Sequence, residues 1–86
     1  MVITHGTITM SDTARFLGEK LNEKVIVLTG SIVPFGHDAS DASFNVGYAT
    51  AAAQQLSPGV YIAMNGQIFL WNDVQKNLDT NTFERL

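Results

Sequence analysis

Cysteine is absent from this chain of 86 residues, and basic residues are scarce. The first absence excludes disulfides, thiolate chemistry and cysteine metal sites, and it is typical of proteins of a reducing cytoplasm. The five lysines and arginines are scattered among eight acidic residues, which gives a formal net charge of −3. Because no basic stripe is available to neutralise phosphates, the sequence predicts no binding to nucleic acid.

Long hydrophobic runs are also missing, although 45% of the residues are hydrophobic. No apolar stretch approaches the ~18 residues of a membrane span, and no basic segment followed by a long apolar core indicates a secretory signal. These features predict one small soluble domain over residues 1–86, located in the cytoplasm. So short a chain buries only ~60% of the surface that its unfolded form exposes, so self-association would add useful burial.

The chain does contain a regular alternation of strand and helix patterns. β-branched or continuously apolar runs predict strands at 2–4, 25–28 and 60–64. Apolar residues at helical spacing predict a helix over 11–21 with its cap at Ser11-Asp12, and a segment rich in small residues predicts a second helix over 44–56, capped by Asp41 or Ser43. An Asn-Gly turn at 65–66 predicts a short returning strand at 68–70, whereas the tail from residue 72 is polar.

Strand, helix, strand, helix and strand in this order predict an α/β fold with a parallel sheet and right-handed crossovers. Ligands of such sheets bind outside the carboxyl ends of the strands, which here are followed by residues 4–7, 29–31 and 65–66. From the residues alone, Thr7 is either a functional hydroxyl or a turn and capping residue, and Lys76 is a solvated lysine. His37 has no partner at metal-ligand spacing, so no metal site is predicted.

Five stretches, in this order and spacing, resemble the bacterial-type L-asparaginase family. "VITHGTITM" is similar to the family's second signature, usually written HGTDTM, and "VIVLTGS" to its next strand. "SDASFNVGYA" resembles the SDGPFN segment that opens a helix, and "VYIAMNG" and "DVQKN" resemble a later strand and the DVxK segment. The likeness is strongest to the small, single-domain asparaginase-like proteins of bacteria.

The resemblance implies a three-layer, flavodoxin-like α/β fold and hydrolysis of the side-chain amide of L-asparagine to L-aspartate and ammonia, without a cofactor. A first threonine attacks the amide carbon, and a second threonine, an aspartate and a lysine support it. Thr7 falls on the second threonine and Lys76 on the lysine, which are the implied catalytic residues. A lysine can take a hydroxyl proton when burial favours its neutral form. The implied substrate-binding residues are His5, Gly6, Ile8 and Ser31.

Two departures from the family pattern qualify this expectation. Ile8 stands where the family has its aspartate, and an isoleucine can neither accept a hydrogen bond from lysine nor bind an ammonium group. The first threonine and its strand are missing, so the chain is expected to resemble the carboxyl-terminal half of the domain and to be inactive alone. Its exposed sheet edge predicts pairing with a second copy or with a chain that supplies the missing half, unless residues 1–86 are a fragment of a longer protein.

Two alternatives to an amidohydrolase stay open. The first is a non-catalytic binding or oligomerisation module of the same fold, in which Ile8 and the first strand are buried against a partner. The second is an anion or nucleotide binder of flavodoxin type, which is weaker because no GxGxxG or GxxxxGK[ST] pattern is present.

Overall fold

Four strands form one sheet in the order in which they occur along the chain, β1-β2-β3-β4. The computed structural model describes residues 1–32 and 40–86; the remaining residues, which include the predicted loop residue His37, lie outside the described part. The elements are β1 (Val2–Thr4), α1 (Met10–Lys20), β2 (Val25–Thr29), α2 (Ala42–Ala53), β3 (Gly59–Met64), β4 (Gln67–Leu70), β5 (Gln75–Asn77) and β6 (Thr82–Glu84).

The first three strands are parallel, which confirms the predicted sheet. Leu28 at the centre of the sheet lies opposite Ile3 of β1 and Ile62 of β3. β4 returns antiparallel to β3 after the predicted Asn-Gly turn. Asn65 and Gly66 both have positive φ, 50° and 78°, which is the geometry that the right-handed strand twist favours in a two-residue hairpin.

Alternate residues of the central strands supply two separate cores, one on each face of the sheet. Leu28 and Ile62 pack on one face with Met10 and Ala14 of α1. On the other face, Val27 and Ala63 pack with Ala49 of α2. Because both faces of the sheet are covered by helices, the central strands β2 and β3 are continuously apolar. The helices therefore form the outer layers of a three-layer α/β fold, as predicted.

The helix boundaries differ from the predicted ones at both N-termini. α1 begins at Met10, and its N-cap is Thr9, which makes no side-chain cap hydrogen bond, so the predicted cap at Ser11-Asp12 is wrong. Met10 is fully buried in the core and belongs to the first helical turn, so its burial explains a start one residue before the predicted one. α2 begins at Ala42 after Asp41, one of the two predicted caps, and ends three residues before the predicted boundary.

The polar tail forms a second, two-stranded antiparallel sheet that the sequence pattern did not predict. Asn77 begins its turn: the side-chain Oδ1 accepts hydrogen bonds from the backbone N–H groups of Asp79 and Thr80, at 2.9 and 3.2 Å. Asn81 follows with a φ of 58°. Phe83 fixes the hairpin to the α1 face of the main sheet, since it is buried in that core. The hairpin thereby brings residue 76 towards the main sheet.

Candidate functional site

The loops that follow β1, β2 and β3 lie at one edge of the sheet, where the sequence places a ligand site. The backbone N–H of His5 donates to the carbonyl of Thr29 at 2.8 Å, so the first loop remains attached to β2 beyond the end of β1. The carbonyl oxygen of Gly6 then accepts a hydrogen bond from Nδ1 of His5 at 2.8 Å. Both contacts restrict the backbone directly before Thr7.

Thr7 and Lys76 form a direct hydrogen bond across 69 residues of chain. The Lys76 Nζ donates to the Thr7 Oγ1 at 2.8 Å in a half-buried setting. The predicted proximity of these two side chains is confirmed, whereas their catalytic roles stay predictions. Because the oxygen of Thr7 accepts this bond, its own O–H hydrogen stays available to a further acceptor. The contact with Lys76 can therefore orient and polarise the Thr7 hydroxyl at the carboxyl edge of the sheet.

The register of the β5–β6 hairpin explains why Lys76 points towards Thr7. Lys76 lies directly opposite Phe83, and residues that face each other across antiparallel strands project from the same face of the sheet. Phe83 is buried against the core, so Lys76 is also directed inwards and is half-buried. The neighbouring positions face outwards, where Gln75 donates to Glu84 at 2.9 Å.

His5 is held by two hydrogen bonds within the chain rather than left free for a ligand. The Gly6 carbonyl can only accept, so the proton of a neutral ring lies on Nδ1. Nε2 lies 2.9 Å from Oγ1 of Thr13 on α1, and it accepts the hydroxyl proton in that tautomer. The structure therefore gives His5 the contacts of a residue that holds the loop before Thr7 against α1.

Asn45 connects the loops that follow β2 and β3, and the sequence analysis gave it no role. Its side chain is fully buried, and Nδ2 donates to the carbonyl of Gly30 at 2.8 Å. The same nitrogen donates to Oδ2 of Asp41 at 3.0 Å, while Oδ1 accepts from the backbone N–H of Asn65 at 2.9 Å. Asp41 Oδ2 also accepts from the N–H of Ile32 at 3.2 Å, so these residues fix the backbone on both sides of Ser31.

A surface depression at the carboxyl edge of the sheet is lined by several of the predicted site residues. Its described lining includes His5, Gly6 and Ser31, together with Thr4, Gly30, Ala42 and Val46. Thr7, Ile8 and Lys76 are not among the described residues that line it. The structure therefore groups the predicted residues into a depression and a separate hydrogen-bonded pair, which the loop at 5–7 joins. Ile8 extends from that loop with 75% of its surface exposed.

Comparison with known proteins assigns this architecture to a family. Residues 1–85 match the family model described as "Asparaginase, N-terminal". The chain belongs to the asparaginase family. The glutaminase-asparaginase of Acinetobacter glutaminasificans is 40% identical over 86 residues, covering 95% of this chain and 26% of the relative. A protein named probable L-asparaginase periplasmic, from Haemophilus influenzae, is 37% identical over 83 residues, covering 92% and 24%.

The solved structure of the thermostable L-asparaginase from Thermococcus kodakarensis has the same fold as this asparaginase-family chain. It superposes with a TM-score of 0.89 at 36% sequence identity, covering 99% of this chain and 27% of that one. The chain thus spans about a quarter of the length of these relatives. The expected match to a carboxyl-terminal half is corrected, since the family model that it matches is that of the N-terminal domain.

The described part of this asparaginase-family chain has neither a membrane-spanning helix nor a group of side chains suited to a metal ion. Neither α1 nor α2 has the length and apolarity that crossing a bilayer requires. Within residues 1–32 and 40–86, no three histidine or acidic side chains are grouped so that they could hold a metal ion. That residues 1–86 form a single, partial asparaginase-like α/β domain stays a prediction.

Proposed function

We propose that this chain is an amidohydrolase domain whose Thr7 and Lys76 act on the side-chain amide of a small substrate such as L-asparagine, with release of ammonia. The observation that carries the proposal is the 2.8 Å hydrogen bond between Lys76 Nζ and Thr7 Oγ1 at the carboxyl edge of the sheet. Membership of the asparaginase family supports the reaction class. We keep the cytoplasm as the predicted location, although one relative is named as periplasmic.

The chemistry needs a hydroxyl oxygen that attacks the amide carbon, a group that takes the hydroxyl proton, and water that later releases the acid. Lys76 donates to Thr7 in the structure, and the same two atoms can pass a proton the other way once the lysine is neutral. Ile8, the next residue, offers no acceptor to either group. We propose that a second hydroxyl, from outside residues 1–86, makes the attack, and that residues 1–86 by themselves are inert.

Ammonia release from L-asparagine and from L-glutamine tests this proposal. L-Glutamine is included because one relative is named glutaminase-asparaginase. We expect no release above a buffer blank from the folded chain, because residues of one catalytic set act as a unit and part of a set gives little of the rate. Chemical shifts of the 5–8 amides should nevertheless move on adding a small amide, and should move less in Thr7→Ala and Lys76→Ala.

Two exposed residues provide the matched controls. Thr50→Ala on α2 and Lys24→Ala remove the same side-chain types at exposed positions outside the Thr7–Lys76 contact. Release of ammonia that is abolished by Thr7→Ala and Lys76→Ala, but not by the controls, would support both roles and contradict the inert state of the chain. Shifts that are unchanged in both site variants would contradict the site itself.

An oligomerisation or binding module is the second candidate, and the free edge of β1 favours it. Within residues 1–32 and 40–86, β1 pairs with β2 alone, and because ladder bonds alternate, the N–H groups of Val2 and Thr4 point away from β2. An unpaired strand edge of this kind can pair with another chain. A second copy of this chain, or a chain that contributes further strands, would cover the edge.

Light scattering after size exclusion tests the second candidate with two substitutions at Thr4. We expect a mass of two or more copies for the wild-type chain, whose monomer has 9.4 kDa, and a shift towards the monomer in Thr4→Pro. Proline removes the outward N–H and leaves the ladder bonds to β2 in place. Thr4→Ala keeps the N–H and should behave as wild type. A monomer at every concentration would exclude self-association.

A further inference from the structure

The turn between β3 and β4 places an unpartnered asparagine side chain directly before a glycine. Asn65 and Gly66 are both exposed, and their φ values of 50° and 78° lie in the left-handed region. The side-chain amide of Asn65 makes no hydrogen bond to any described residue, and neither does the backbone N–H of Gly66. A free amide carbon therefore stands next to a free backbone nitrogen, and Gly66 has no Cβ to keep the two apart.

No other asparagine of the chain combines these features. Asn45 is fully buried, and its amide is hydrogen-bonded on both sides. Asn81 resembles Asn65 most, because it is exposed, has a φ of 58° and carries a side chain without a partner among the described residues. It is followed by Thr82, however, and a β-branched side chain crowds the backbone nitrogen that a glycine leaves open.

We propose that Asn65 is a self-modification site, at which the chain converts its own asparagine to aspartyl and isoaspartyl residues with water as the only co-reactant. The backbone nitrogen of Gly66 loses its proton and bonds to Cγ of Asn65, while the amide C–N bond breaks and ammonia leaves with that proton. Water then opens the resulting five-membered imide. Addition at Cγ gives aspartate, whereas addition at the backbone carbonyl gives isoaspartate, in which the chain continues through the former side chain.

The fold restrains this reaction and is altered by its product. Oδ1 of Asn45 accepts from the N–H of Asn65 at 2.9 Å, and Met64 pairs with Gln67 across the turn. Both contacts limit the backbone rotation that brings Cγ onto the nitrogen, so the reaction proceeds from a locally opened turn. Isoaspartate adds a methylene to the backbone of a two-residue turn, which no longer fits the hairpin. Asn45 also binds the carbonyl of Gly30, so the change reaches the loop after β2.

Peptide mapping of the 86-residue chain by mass spectrometry, after incubation in neutral buffer, tests the proposal. We expect Asn65 to convert at least about tenfold faster than Asn81, the factor that about 1.4 kcal/mol of barrier from the Thr82 side chain gives. Thr82→Gly is the matched variant, and it should raise the rate at Asn81 towards that at Asn65. Asn45→Ala should accelerate conversion of Asn65 by about fivefold, since the turn loses one hydrogen bond.

The contrary results are distinct from one another. Conversion of Asn65 in urea but not in the folded chain would overturn the proposal, and so would equal rates at Asn65 and Asn81. An unchanged rate in a folded Asn45→Ala protein would overturn the restraint assigned to Asn45. If that variant does not fold, the comparison of Asn65 with Asn81 in the wild-type chain still decides. The reaction releases a single ammonia per chain from Asn65, so turnover of an added amide is measured separately from it.

Discussion

Replacing Asn45 with alanine is expected to lower the free energy of unfolding by about 3 kcal/mol. Asn45 is fully buried, and its side chain binds the carbonyl of Gly30 and the N–H of Asn65. Alanine leaves the Gly30 carbonyl without a partner in the interior, which costs about 1–3 kcal/mol, and a small cavity adds to this. A loss of this size is a large fraction of the roughly 4–13 kcal/mol typical of a domain with this number of residues.

Urea unfolding followed by circular dichroism measures this loss, and the midpoint of thermal unfolding should fall by about 12–24 °C. Asn22→Ala is the matched control, since Asn22 is exposed between α1 and β2, and we expect a change within about 0.5 kcal/mol. Asn45→Asp keeps the shape but turns a carboxylate oxygen towards the Gly30 carbonyl and Asp41. It should therefore cost at least as much as alanine. An Asn45→Ala protein as stable as wild type would contradict this account.

Asn45 also shows which part of the site the sequence could not predict. Besides Asp41, its partners include backbone groups of residues 15 and 20 positions away, and no local periodicity reveals these two contacts. The only local signal is an amide side chain within a helix that is otherwise small and apolar. The strands, in contrast, were predictable, because burial on both faces of the sheet requires the continuous apolar runs at β2 and β3.

The β5–β6 hairpin was missed because its strands are short and mostly polar. In β6 only Phe83 is buried, and in β5 the inward position is a lysine. The alternation of apolar and polar residues was therefore too weak to indicate a strand. For the same reason, composition alone made Lys76 a solvated lysine. The family resemblance predicted that Thr7 and Lys76 lie close together. The β5–β6 hairpin is the physical cause of their contact. Ile8, expected to become a packing residue, is exposed in the single chain.

Gly30→Ala and Gly47→Ala are expected to change stability in opposite directions. Gly30 follows β2, and a Cβ built there would overlap the backbone oxygen of His5 and lie 3.0 Å from Cε of Met10. The His5 backbone cannot retreat easily, because its N–H donates to the Thr29 carbonyl at 2.8 Å. Forcing a methyl group into this contact should cost about 3 kcal/mol and separate the end of β1 from β2.

Gly47 is the matched comparison, since it lies within α2 and no atom of the described residues outside the helix's own backbone stands within 4 Å of a Cβ built on it. Alanine there should raise the free energy of unfolding by about 0.5–1 kcal/mol, because glycine loses more backbone freedom in a helix. Urea unfolding of both variants measures the contrast. The backbone of Gly30 does not have positive φ, so overlap with His5 alone separates the two positions. Equal stability of the two variants would show that the β1 loop moves away from β2 at little cost, and the loop before Thr7 would then not be held by β2.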